Sequence, residues 1–351
     1  MRVVIADPPA YTPQYDHELS AALARAGAEV ELVTAPFRFA ETPQPNGYRR
    51  SELFYPLSSR LFRRSPLRLP LKALEHPIGL ARLRARPANV VHLQWLAAPE
   101  LDARLLRLEP PAVFTAHDLL PRRTAAKHEL WRRLLSRFER VVVHSERGRD
   151  ALEDLGVESS RLRVIPHPVF PSDPERCDDG ATVLALGVIR PYKGLGDAIE
   201  AVLRVERARV LVAGDPVEPV DAYRARAGSR AEWRLGYLRE TEVDRALGEA
   251  TVAVFPYRAE LDQSGALLRA LGAGVPAVAY DVGGVAEPIR RFGAGRVVAP
   301  NDVEGLAEAV RELLADPDEL ERARAGARKA RAELTWDASA RAHLELYREL
   351  I

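Results

Sequence analysis

Short apolar, β-branched runs alternate with stretches of helical periodicity along most of this chain. VVIA (3–6) is followed by HELSAALARAG and then by EVELVT (29–34). Further on come NVVHLQW (89–95), AVFTAHD (112–118), RVVVHS (140–145) and LRVIP (162–166), with helical stretches between most of them. Apolar runs this short, separated by amphipathic stretches, predict the buried strands of a parallel, doubly wound α/β sheet.

The pattern then breaks and restarts. IPHPVFPSDPERCDDG (165–180) is rich in Pro and Asp and has little periodicity, which marks a linker. After it come TVLALGV (182–188), the helical GDAIEAVLRV, RVLVAGD (209–215), EWRLGYL (232–238), TVAVFPY (251–257), PAVAYD (276–281) and GRVVA (295–299). The organisation expected is a first α/β domain at 1–168, a linker at 169–180, a second α/β domain at 181–335 and a C-terminal helix at 336–351 that packs back toward the first domain. Two such domains place the carboxyl ends of their strands around a shared cleft, where open α/β sheets bind ligands.

Composition narrows the partners. The 351 residues are 47% hydrophobic and carry a net charge of +1, so nothing drives the chain as a whole toward nucleic acid. Cys177 is the sole cysteine, which excludes an intrachain disulfide and a cysteine-based zinc site. The N-terminal MRVVIADPPAY is expected to be a first strand and not a secretory signal. No apolar run is long enough to span a bilayer, and the expected location is cytoplasmic, with peripheral contact at the inner face of the membrane left open.

Lysine occurs only at 72, 127, 193 and 329, against 51 basic residues in all, so a lysine in a chemically suggestive place is informative. Lys193 is one. In LGVIRPYKGLGDAI (186–199) the chain leaves a strand, passes Arg190 and Lys193, and enters a helix at glycine. Two cations and a positive helix end can converge there on one phosphate. A second segment, AELDQSGALLRALGAGVPAV (259–278), delivers the polar turn Gln263, Ser264, Gly265 and Ala266 to another helix start.

Together with VVHLQWLAAPELD (90–102), VFTAHDLLP (113–121), VVVHSERGRDAL (141–152), RVIPHP (163–168), GYLRETEVDRAL (236–247) and YDVGGVAEPI (280–289), these segments resemble, in this order, the family 4 glycosyltransferases, retaining enzymes of the GT-B fold. The resemblance implies two Rossmann-like domains facing a cleft. It implies sugar transfer from a nucleotide-diphosphate sugar, UDP-linked in preference to GDP-linked, held by the second domain. The acceptor, a glycan, a lipid-linked molecule or a small molecule, is held by the first. No cofactor and no obligatory metal are implied. No Asp-x-Asp motif stands in a loop suited to a divalent cation, so Arg190, Lys193 and backbone N–H groups would neutralise the leaving diphosphate.

By position, Lys193 matches the family's phosphate-binding lysine. Val188 holds the place five residues earlier where the family has arginine, and Arg190 lies only three before the lysine. His117 matches the histidine beside the transferred sugar, with Asp118 next to it, while His144 and His167 close strands as structural residues or as site residues. Tyr237 and Leu238 match the turn whose backbone reads the base. The loop after strand one has prolines and tyrosines in place of glycines, which directs Tyr11, Gln14 and Tyr15 toward the acceptor. The family's carboxylate pair is altered. Arg269 stands where a glutamate usually holds the ribose, and the sugar-facing carboxylate falls to Glu260, with Asp262 as its rival. Loss of a ribose contact costs binding more than chemistry. A non-catalytic nucleotide-sugar-binding protein and a nucleotide-sugar epimerase are the alternative readings.

Residues 48–86 are basic and apolar by turns. They would form either ordinary amphipathic helices with arginines in water or a surface for an anionic membrane.

Overall fold

The computed structural model describes residues 1–38, 41–61, 65–120, 124–258 and 261–351. By packing, the chain separates into two units, Met1–Pro166 with Trp336–Ile351, and His167–Thr335.

The first unit is built on a seven-stranded parallel sheet of β1 (Arg2–Asp7), β2 (Glu29–Thr34), β3 (Arg49–Glu52), β4 (Val90–Leu93), β5 (Ala112–Thr115), β6 (Arg140–Val143) and β7 (Leu162–Val164), in the order β3-β2-β1-β4-β5-β6-β7. Its helices are α1 (Pro13–Arg25), α2 (Arg68–Arg84), α3 (Pro99–Leu105), α4 (His128–Leu135) and α5 (Glu146–Asp154). The central strand β1 is apolar on both faces and buried from Val3 to Asp7. Its neighbours are in register, Val3 lying opposite both Val30 and Val90.

One strand escapes a hydrophobicity reading. β3 is the sequence RRSE, and it forms at the sheet edge because Arg49 and Ser51 hydrogen-bond the Glu31 carboxylate of β2 at 2.6 and 2.7 Å. An edge strand needs only one paired side, and charge on its open side discourages further pairing.

The second unit holds a six-stranded parallel sheet of β8 (Thr182–Leu186), β9 (Arg209–Gly214), β10 (Ala231–Leu235), β11 (Val252–Phe255), β12 (Ala277–Tyr280) and β13 (Gly295–Val298), in the order β10-β9-β8-β11-β12-β13. It is flanked by α6 (Leu195–Leu203), α7 (Asp221–Ala227), α8 (Glu240–Glu249), α9 (Gly265–Gly272), α10 (Glu287–Phe292), α11 (Val303–Ala315) and α12 (Pro317–Glu333). The two-residue period of the strands feeds two cores. Leu184, Leu211, Ala253 and Phe255 face one, while Val183, Val210, Val212 and Val254 face the other.

Two segments connect to these units through specific contacts. The Pro- and Asp-rich stretch packs along the second unit: Val169 N donates to Leu334 O, Cys177 N to Gly248 O, and Arg176 reaches the Leu247 and Ala250 carbonyls. The last helix, α13 (Trp336–Arg348), belongs to the first unit. It meets α1 through Arg25–Asp337 at 2.7 Å, and Tyr347 Oη lies 2.6 Å from His92 Nδ1 on β4.

In each sheet the strand order reverses beside a central strand, between β1 and β4 and between β8 and β11. Loops leaving the carboxyl ends of those strands diverge and open a crevice. Both sets of candidate residues lie there.

Candidate active site

In the first unit the strand exits bring four segments together. Asp7 ends β1, Gln94 and Trp95 follow β4, His117 follows β5 and His144 follows β6. His117 Nε2 lies 3.0 Å from Gln94 Oε1, and its Nδ1 lies 3.3 Å from His144 Nε2. His144 Nδ1 is 2.9 Å from the Ile165 carbonyl.

A carbonyl only accepts, so His144 carries its proton on Nδ1, and in neutral His144 the Nε2 atom accepts from His117 Nδ1–H. His117 Nε2 then meets Gln94 in one of two ways. Either His117 is an imidazolium donating to Oε1, or the amide is reversed and its NH₂ donates to a neutral ring. As placed, the Gln94 Nε2 atom is buried without a partner among the described residues. The charge on His117 is thus tied to the orientation of one glutamine.

Aromatic rings enclose the same histidine. Trp95 stacks on it with centroids 5.1 Å apart and an interplanar angle of 17°, and Tyr15 meets it edge-on at 4.7 Å. A π face favours a cationic ring over a neutral one. Trp95 is fixed by its Nε1–H bond to Thr12 Oγ1 at 2.8 Å, and Tyr11, largely exposed, leans edge-on against it at 5.4 Å. Asp118 is exposed. Gln14 turns to Glu18 on its own helix, at 3.2 Å.

Beneath this corner lie two buried carboxyls, Asp7 and Asp16, hydrogen-bonded to each other. Burial pushes Asp7 up to about 6, and burial with the neighbouring Asp7 charge pushes Asp16 well above the usual carboxylate range. Asp16 therefore holds the proton between them at neutral pH.

In the second unit Gly187 leaves β8 at φ +109°, a conformation suited to glycine, and a Cβ there would stand 3.1 Å from Lys193 Nζ and 3.3 Å from Ala266 Cβ. The absent side chain is what lets the ammonium lie beside the first turn of α9. Gly194, at φ +68°, passes so close to the Pro256 carbonyl that a Cβ would overlap it, which fixes the turn carrying Lys193 against the exit of β11. Gly187, Val188, Lys193, Pro256 and Tyr257 line a small pocket. Lys193 Nζ sits 5.1 Å from the Tyr257 ring centroid and forms no ion pair among the described residues.

The start of α9 is capped by Ser264, whose Oγ accepts from Leu267 N at 3.3 Å and lies 2.9 Å from Tyr257 Oη. That leaves the Gly265 and Ala266 amides at the helix start outside the side-chain cap. Gln263 donates through Nε2 to Gly284 O at 3.0 Å, and its Oε1 is buried without a partner among the described residues. Asp262 is fully buried.

Glu260 lies outside the described residues. Its flanks are fixed. Arg258 is held by the Tyr192 carbonyl and by an ion pair with Asp197, and Leu261 O accepts from Gly284 N at 2.9 Å.

Arg269 is spoken for by a carboxylate. Its two terminal nitrogens lie 2.5 and 3.0 Å from the two oxygens of Glu240, and the guanidinium stacks over Phe170 at 4.8 Å. Tyr237 stands next to the pair: burial, then the Glu240 charge, raise its phenol, and Arg269 partly offsets them. Leu238 packs against the core of the same unit.

The exposed Arg190 forms no ion pair among the described residues, and no contact brings its guanidinium to Lys193. His167 is buried and held low, at about 4, by desolvation, with Nδ1 2.6 Å from its neighbour's carbonyl, as a structural histidine would be. Sequence reasoning missed Glu240, Trp95 and Gln94. All three stood inside segments that carried the family resemblance, but only spatial neighbours assign them work.

Among the described residues no group of three or more His, Cys, Asp or Glu side chains is arranged to hold a metal ion.

Comparison with known proteins agrees with this layout. Residues 14–173 match the family model described as Glycosyltransferase Family 4, and residues 180–316 match that described as Glycosyl transferases group 1. No curated protein sequence gives a significant match. Among solved structures, sucrose-phosphate synthase from Thermosynechococcus elongatus matches with a TM-score of 0.78 at 21% identity, over 100% of this chain and 99% of that one. HepE of Anabaena in complex with UDP-glucose matches at 0.73 and 14% identity over 100% of each chain. WaaG, a glycosyltransferase involved in lipopolysaccharide biosynthesis, matches at 0.67 and 17%, over 97% of this chain and 99% of that one. At such identities structural likeness establishes the fold, which is GT-B. With both units matched by glycosyltransferase models, the chain belongs to the family 4 glycosyltransferases and is a transferase enzyme.

Proposed function

We propose that this enzyme transfers a sugar from a nucleotide-diphosphate sugar to a hydroxyl acceptor with retention of anomeric configuration and without a metal ion. A UDP-sugar is favoured over a GDP-sugar. The observation that carries the reading is the Lys193 ammonium beside the start of α9, unpaired by any carboxylate among the described residues. A cation and two helix-start amides together suit a diphosphate whose charge grows as the bond from the anomeric carbon breaks.

The rest of the donor is assigned around it. Tyr237 and Leu238 read the base, and Glu240, oriented by Arg269, accepts from the ribose hydroxyls that a glutamate at 269 would otherwise hold. Gln263 Oε1 is a buried acceptor that a sugar hydroxyl would satisfy. Glu260 remains the choice for the sugar-facing carboxylate. Arg190 serves the diphosphate only through a change of its exposed side chain.

The first unit takes the acceptor, with Tyr11 and Trp95 as a face for an apolar sugar ring or lipid-like group and His117 beside the reacting hydroxyl. A glycan, a lipid-linked molecule and a small molecule all satisfy this chemistry, and no cofactor is called for. The reaction is placed in the cytoplasm at the inner face of the membrane, with residues 48–86 as the contact. Among the described residues no helix is long and apolar enough to cross a membrane.

The test is turnover. Nucleotide sugars that raise the melting temperature are assayed for transfer with and without EDTA. Transfer that persists in EDTA with the product's anomeric configuration retained supports the reading, and a strict Mg²⁺ requirement overturns the metal-free part. Binding without transfer favours a nucleotide-sugar-binding protein, and interconversion of the donor itself favours an epimerase.

A further inference from the structure

Helix α2 buries Gly79, Leu80 and Leu83 but leaves a second apolar face in solvent. Its polar residues Glu75 and His76 are buried, while Leu69, Pro70, Ala73, Leu74, Pro77, Ile78 and Ala81 face solvent. These seven form the i, i+4 rows of one helix face. Leu69 and Leu74 are 71% and 72% exposed, and Leu57 and Leu67 extend the same apolar character into the preceding segment.

This orientation is enforced from inside. His76 is clamped between Tyr55 Oη at 2.6 Å and Asp102 Oδ1 at 2.7 Å. The Glu75 carboxylate accepts from the Leu57 and Ser58 amides at 2.7 and 3.0 Å. Gly79 sits so close to the Phe54 ring that a Cβ would meet it at 2.3 Å. Turning the helix to bury Leu69, Leu74 and Ile78 would break all of these contacts, expose Leu80 and Leu83, and strand a buried carboxylate, histidine and tyrosine.

We infer that the outward face of α2, with Leu57 and Leu67, is a docking surface for an anionic lipid bilayer, on which the helix lies in the plane of the interface. Charge selects this occupant. Residues 53–84 contain seven basic side chains and one acid, Glu75, which is buried. Arg60 and Arg68 form no ion pair among the described residues, and Arg82 bonds only a backbone carbonyl. An apolar stripe edged by cations, without an exposed carboxylate, matches acyl chains beneath anionic headgroups. A second copy docking through the same face would oppose like charges, those of Arg60, Arg68 and Arg82. The inference deepens the membrane contact proposed above for residues 48–86 and rests on that reading, while its test is separate from sugar transfer because vesicle binding is measured without donor or acceptor.

The experiment is flotation of the full chain with vesicles of phosphatidylcholine alone and with about one-third phosphatidylglycerol, at low and high salt. Binding to the anionic vesicles is expected to be at least about tenfold tighter than to neutral ones and to weaken with salt. Leu74→Ser with Ile78→Ser, and separately Arg60→Ser with Arg68→Ser, should each weaken it about tenfold while leaving thermal melting unchanged, since all four side chains lie outside the core. Absence of binding to anionic vesicles overturns the inference, as does binding indifferent to both pairs of substitutions. Concentration-dependent self-association abolished by Leu74→Ser with Ile78→Ser, without vesicle binding, would assign the face to a second copy and overturn it equally.

Discussion

Arg269 and Glu240 form a two-pronged ion pair, the guanidinium nitrogens 2.5 and 3.0 Å from the two carboxylate oxygens. A carboxylate is therefore present beside α9, at the end of the proposed donor site, although position 269 has the opposite charge. Each carboxylate oxygen can accept more than one hydrogen bond, so pairing with Arg269 orients Glu240 without using it up.

Glu240→Gln should weaken binding of the productive nucleotide sugar by about five- to tenfold, a loss of about 1–1.4 kcal/mol, with little change in kcat because a ribose contact is equal in ground and transition states. Arg269→Glu alone would set two carboxylates against each other and should not tighten binding. Combined with Glu240→Ala, it should restore affinity. Isothermal calorimetry measures all three, and a wild-type affinity for Glu240→Gln would remove Glu240 from the donor site.

Lys193→Ala should lower transfer by two or more orders of magnitude, since one strong contact to developing charge contributes about 3 kcal/mol. Steady-state assays with saturating donor check this. A loss below threefold would mean that the ammonium faces something other than the leaving group.

Trp95→Leu should raise the acceptor KM by roughly two- to tenfold, the range expected from losing an aromatic contact of about 0.5–1.5 kcal/mol, and leave donor affinity unchanged. Because Trp95 also covers one face of His117, kcat should fall modestly as well. An unchanged acceptor KM would argue that the acceptor binds elsewhere.

The buried Asp7 and Asp16 pair makes stability fall with rising pH. Unfolded, each carboxyl releases its proton near 3.8, whereas in the folded protein Asp7 holds it to about 6 and Asp16 higher still. Between those values the folded state binds more protons than the unfolded, so stability declines as pH rises. Asp16→Asn keeps a donor toward Asp7 and removes that titration. Its melting temperature should exceed the wild-type value by roughly 2–4 °C at neutral to mildly alkaline pH, with the gap closing toward about pH 4. Calorimetric melts across this range check it, and a gap independent of pH would refute the shared proton.

Apolar runs such as VVIA and TVLALG announced most of the strands without help, because a strand buried on both faces in a parallel sheet is largely apolar. The restart after residue 180 likewise made the two α/β units legible in sequence order, and the rarity of lysine singled out Lys193, whose ammonium the structure sets beside the start of α9. β3 was not legible, since RRSE becomes a strand only when Glu31 of the neighbouring strand supplies its partners. The same holds for Glu240 facing Arg269, Gln94 facing His117, and Asp16 holding a proton for Asp7. Each is a pairing between different elements of the fold, and a side chain's partner and charge state are properties of its surroundings. Helix α2 illustrates the division most clearly: the sequence determined that a basic and apolar helix would form, but Tyr55, Asp102 and the Leu57 amide, brought in by folding, decided that Leu80 and Leu83 go into the core while Leu69, Leu74 and Ile78 face outward. Periodicity records which residues share a face, and only the packed structure determines which face is buried.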